Sequence, residues 1–127
     1  MTSTSLTTRI GITLIFMAFL AVASIIPGRA QPGDSIFVFI VERTPTLLQK
    51  MLHVCFYAML TLLWIWTLDA IQSKLNRLII AIVIAVCFGA MLEWYQTRVP
   101  GRFGTIFDVA LNSVGALLGI LIAIFLF

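Results

Sequence analysis

Four long apolar runs separated by short polar stretches organise the chain: Ile10 to Ile26, Leu47 to Leu68, Leu78 to Gln96 and Ile106 to Phe127. Each has roughly the 17–22 residues needed to cross a hydrocarbon core of about 30 Å at about 1.5 Å per residue. In lipid a lone strand would leave its backbone groups unsatisfied, so each run is expected to be a helix. The pattern predicts an all-α integral membrane bundle of four transmembrane helices, over about 10–26, 47–68, 78–96 and 106–127. Both termini would lie on the same side, and residues 1–127 would form one domain. Arg9 and Arg77 bound the first and third runs, and Pro27-Gly28 stops the first.

The connections differ in kind. Gly28 to Thr46 is long, and within it Ile36-Phe37-Val38-Phe39-Ile40-Val41 is apolar but too short to span a bilayer. That segment is expected to lie in the interface or to tuck back against the bundle. Asp69 to Arg77 is a polar hairpin on the opposite side. Thr97 to Thr105 is a tight loop, Arg98-Val99-Pro100-Gly101-Arg102, on the side of the long connection. The first run carries Ala21-Val22-Ala23-Ser24, which has the look of a signal-peptide cleavage site. The apolar run continues to Ile26, and a retained helix is expected.

Composition narrows the function classes. The 127 residues are 61% hydrophobic and 10% charged, too little polarity to cover a soluble domain. Function must therefore reside in the helices and their loops. The net charge of +3 is spread along the chain, without the clustered Lys and Arg that bind nucleic acid. Arg29, Arg43, Arg98, Arg102 and Lys50 fall on one side, and Arg9, Lys74 and Arg77 on the other. Pairing of Lys50 and Arg102 with acids inside the bundle would nearly balance these counts, so the charge rule assigns no orientation. Cys55 and Cys87 sit in apolar runs, where cysteine is a small packing residue. Without a CxxC or a His-rich tract, neither a metal site nor a cofactor is expected.

Ionisable side chains inside membrane helices cost about 2.5–3.5 kcal/mol each on insertion scales and usually face the bundle interior. Lys50, His53 and Tyr57 share one face of the second helix. Glu93 and Gln96 share a face of the third, on a stripe that continues through Gly89, Ala85 and Ala81. Asp108 and Asn112 share a face of the fourth, beside a row holding Gly115 and Gly119. In an antiparallel bundle these three helix ends meet at one membrane face, where the loop bearing Pro100, Gly101 and Arg102 joins two of them. The small residues deeper down fit close helix packing. Singly, each polar residue has a plainer explanation. Lys50 could snorkel, Glu93 could form a structural ion pair with Lys50 or Arg102, and Trp64, Trp66 and Trp94 read as interface anchors.

The segment Gly89-Ala-Met-Leu-Glu93-Trp-Tyr-Gln96, then Pro100-Gly101-Arg102, then Asp108-xxx-Asn112-xx-Gly115-xxx-Gly119, resembles the VanZ-like family of bacterial membrane proteins. So does Lys50-xx-His53-xxx-Tyr57. Gln49 stands where the family usually has an acidic residue, and Val54 where an aromatic is common. The resemblance implies a multi-pass protein of the bacterial cytoplasmic membrane, and the family's namesake is associated with tolerance of teicoplanin. It points to a membrane lipid or lipid-linked envelope precursor as partner.

Three functions compete. In the first, a pocket of Lys50, His53, Tyr57, Glu93, Gln96, Arg102, Asp108 and Asn112 binds or modifies a lipid-linked or anionic envelope component. The second is a membrane acyl or phosphoryl transferase with His53, Glu93 and Asp108 as catalytic candidates, though no protein nucleophile lies in the cluster. The third is a small structural subunit whose polar cluster only locks the bundle. The ligand and the oligomeric state are not legible in the sequence.

Overall fold

The computed structural model describes residues 4–99, 101–102 and 104–126, so Pro100 and Phe127 of the expected loop and last helix lie outside the described residues. Five helices follow one another: α1 (Leu6–Ile25), α2 (Ile36–Arg43), α3 (Thr46–Thr67), α4 (Lys74–Gln96) and α5 (Ile106–Leu126). All but α2 are long and apolar enough to cross a membrane. Their outward faces are apolar, with Ile15 and Leu121 exposed where lipid would lie.

Two spans begin a turn earlier than the apolar runs suggest, α1 at Leu6 rather than Ile10 and α4 at Lys74 rather than Leu78. Serine caps extend them. Ser5 Oγ accepts from the Thr8 amide (3.2 Å) and Ser73 Oγ from the Asn76 amide (3.3 Å), satisfying amides that a helix start leaves free. Arg9 and Arg77 consequently sit inside the helices, and both reach Asp69. Arg9 Nη1 donates to Asp69 Oδ2 (3.3 Å) and to the Trp66 carbonyl (3.0 Å), while Arg77 Nη1 donates to Asp69 Oδ1 (2.7 Å). The start of α1, the end of α3 and the start of α4 are thereby tied at one end of the bundle. Just inside, the Thr13 and Thr67 hydroxyls lie 2.7 Å apart.

The closest helix pair is α3 with α5, and glycine makes it possible. A Cβ on Gly115 would run into the Val54 carbonyl, and one on Gly119 would come within 2.7 Å of the Ala58 carbonyl. Lipid supplies no hydrophobic drive between helices, so close backbone approach is a main source of their packing energy. Ala81, Ala85 and Gly89 are buried on the facing stripe of α4.

Trp64 departs from the expectation of an interface anchor: it packs against the core, and its Nε1 is buried without a partner among the described residues. Trp66 and Trp94 each carry an arginine over the ring, Arg9 at 5.2 Å and Arg98 at 4.4 Å from the centroid. The short apolar segment of the long connection is helical. In α2, Val38 is buried, while Ile36, Phe37 and Ile40 remain exposed.

Candidate functional site

The polar residues of three spans come together at the end of the bundle opposite Asp69. His53 of α3 is the centre. Its Nδ1 lies 2.8 Å from Asn112 Oδ1 on α5 and 3.5 Å from Glu93 Oε1 on α4. Asn112 Nδ2 in turn donates to Glu93 Oε1 at 3.5 Å, so the amide bridges the imidazole and the carboxylate. Asn112 and Glu93 are almost fully buried. The Tyr57 ring lies parallel to His53 within 6°, with centroids 6.4 Å apart. Gly89 leaves room for this arrangement, since a Cβ there would sit 2.7 Å from Tyr57 Cε1 and 3.0 Å from Asn112 Nδ2. The His53 ring is thus held on one nitrogen and one face.

The other expected site residues stand nearby with different partners. Arg102 forms no ion pair with Glu93. Its Nε donates to the Ile26 carbonyl (2.9 Å) and its Nη2 to the Ala23 carbonyl (3.0 Å), closing the C-terminal end of α1. These are among the carbonyls a helix end leaves without partners. Burial draws the guanidinium down from its ordinary value, and the neighbouring Glu93 carboxylate pushes it back up. Lys50 likewise pairs with no acid among the described residues; its Nζ sits 4.9 Å from the Phe107 ring centroid. The balancing of charges by Lys50 and Arg102 ion pairs therefore does not occur. Asp108 belongs to the start of α5, where Thr105 Oγ1 donates to Asp108 Oδ2 (2.9 Å) and accepts from the Asp108 amide (3.2 Å). The Thr105 hydroxyl thus caps the helix and holds the Asp108 carboxylate beside it.

Two cavities adjoin this cluster. One, of about 150 Å³, is largely apolar and lies among Leu20, Ala23, Leu52 and Phe56, with Tyr57 at its inner side. The other, of about 560 Å³, has a mixed lining that is more polar than the first and takes in Glu42, Lys50, Thr105, Phe107 and Asp108. Both are lined by Val41, Thr44, Gln49, His53, Gln96 and Arg102. The residues shared between them form a polar seam.

The contributions of α1 and α2 are not visible in the sequence. The apolar cavity needs Leu20 and Ala23 from α1, and Val41 of α2 lines both spaces. Gln49 ties the end of α2 to α3: its Nε2 donates to the Thr44 carbonyl (3.1 Å) and more weakly to that of Val41 (3.4 Å). Gly28 of the α1–α2 connection meets Gly101, where either Cβ would clash with the other loop's backbone. The φ of +74° at Gly101 also favours glycine. The Pro27-Gly28 and Pro100-Gly101 pairs were the available signal that these loops meet.

Among the described residues, no group of three or more His, Cys, Asp and Glu side chains is placed to hold a metal ion. The VanZ/LLP1 family model matches residues 3–127, nearly the whole chain, and the protein belongs to that family. No curated protein and no solved structure matches it.

Proposed function

We infer that this VanZ/LLP1 protein binds an amphiphilic, lipid-linked component of the bacterial envelope from within the cytoplasmic membrane. The headgroup would occupy the polar cavity and the hydrocarbon chain the apolar one. The observation that carries this is the junction itself: a largely apolar space and a more polar one, lined by Glu42, Lys50 and Asp108, share one wall of His53, Gln96 and Arg102. A soluble polar ligand would have no use for the first space, and a plain hydrocarbon none for the second. By analogy with the family's namesake, holding such a molecule would alter tolerance to teicoplanin.

Transfer chemistry on a protein nucleophile has less support. Ser113, the serine beside Asn112, donates to its own helix at the Val109 carbonyl (2.9 Å). A purely structural role would account for the His53–Asn112–Glu93 bridge but not for the adjoining cavities. Native mass spectrometry of gently purified protein separates these readings. The wild type should carry a bound amphiphile. Leu52→Trp, which fills the apolar cavity, should lose it while keeping the same helical content. Equal retention by both proteins, or no bound amphiphile in either, would count against the assignment.

A further inference from the structure

The way His53 is held restricts what headgroup can lie against it. Nδ1 faces two acceptor oxygens, Asn112 Oδ1 and Glu93 Oε1, so it is the nitrogen that carries a proton. Nε2 has no partner among the described residues, and the ring lines both cavities. The exchangeable position of this imidazole therefore faces the place where headgroup and chain would join.

The polar cavity is not built as a strong anion site. Its lining balances Lys50 and Arg102 against Glu42 and Asp108. The Arg102 guanidinium spends its Nε and one Nη2 proton on α1 carbonyls, so its side-on fork is occupied and its orientation is fixed by α1 rather than by a ligand. Thr44, Thr105 and Gln96 add groups that can both donate and accept. A hydroxyl satisfies such a lining. It donates to Nε2 when the imidazole is neutral and accepts from it when the ring carries a second proton. An anionic oxygen without a hydroxyl pairs with the second form alone.

We propose that the ligand of this site is an amphiphile with a hydroxyl-bearing headgroup, and that His53 Nε2 selects the hydroxyl. The proposal rests on the amphiphile assignment above and adds the chemistry of the headgroup. The test compares two lipids with the same acyl chains and the same single negative charge. Phosphatidylglycerol carries hydroxyls on its three-carbon headgroup, and phosphatidylpropanol carries none.

Binding of each to the detergent-purified protein, titrated by native mass spectrometry, should favour phosphatidylglycerol by tenfold or more. A site that hydrogen-bonds a hydroxyl rejects the analogue lacking it by leaving its own group unpaired. His53→Phe should remove the preference, so that the two lipids bind alike, with an unchanged circular-dichroism spectrum reporting an intact fold. Equal wild-type affinities for the two lipids would overturn hydroxyl selection while leaving the amphiphile assignment in place. Failure of both to bind the wild type would overturn both. The wild-type comparison decides without the variant.

Discussion

His53 and Asn112 join α3 to α5 through a contact of 2.8 Å between Nδ1 and Oδ1, with Asn112 only 1% exposed. The amide also faces the Glu93 carboxylate, so removing it leaves His53 Nδ1 and Glu93 Oε1 with only their own 3.5 Å contact. Asn112→Leu, close in size, should therefore destabilise the bundle by about 1–3 kcal/mol. Asn112→Asp should be worse than Asn112→Leu when ionised, because it places a second carboxylate against Glu93. Unfolding titrations in mixed micelles would read both.

Arg102 gives a prediction that differs from that of a simple ligand-binding arginine. Its hydrogen bonds to Ile26 and Ala23 are made without any ligand. Arg102→Ala should lower the stability of ligand-free protein by about 1–3 kcal/mol, the cost of stripping partners from buried carbonyls. Arg102→Lys should recover part of it at most, because an ammonium lacks the planar fork. An unchanged melting temperature of the ligand-free Arg102→Ala protein would contradict the capping role.

The α3–α5 contact predicts a contrast between glycines. At Gly119 an added Cβ meets the Ala58 carbonyl and, at 2.9 Å, Thr61 Cβ. Gly119→Val should cost about 1–3 kcal/mol through overpacking. Gly11, where nothing lies within 4 Å of an added Cβ, should accept alanine with a change of about zero or a slight gain. Thermal unfolding of the two variants side by side tests whether close approach, rather than glycine content, holds the bundle.

At the far end, Asp69 is 60% exposed at its side chain although it bridges Arg9 and Arg77. Exposed ion pairs are worth about 0–1 kcal/mol. Asp69→Asn should therefore cost less than about 1 kcal/mol, and the difference from wild type should shrink as salt is raised. A loss comparable to that of Asn112→Leu would show that this end is more than a clasp.

Much of this organisation is legible along the chain, for reasons that also explain what is not. Span length and apolar content depend on local sequence, so the four membrane helices stand out. Their starts do not, because Ser5 and Ser73 extend α1 and α4 through cap bonds that hydropathy ignores. His53, Glu93 and Asn112 are visible because polar side chains deep in apolar runs share a depth and face inward. The partners of Arg102 and Asp108 are invisible to the same reasoning. Arg102 bonds to carbonyls of a helix far away in sequence, and Asp108 to the cap of its own helix. Leu20, Leu52 and Phe56 are also hidden, since an apolar residue lining a cavity looks the same in sequence as one facing lipid.

On the proposed function, the apolar and polar cavities form one continuous site for one amphiphile. Photo-crosslinking with two forms of a diacyl lipid tests it most directly, one carrying a diazirine in the acyl chain and the other in the headgroup. The chain probe should label Leu20, Leu52 or Phe56, and the headgroup probe Lys50 or Phe107, at one lipid per chain. Chain labelling spread evenly over outward residues such as Ile15, Val83 and Leu121, with no enrichment at the cavity, would contradict a single amphiphile site.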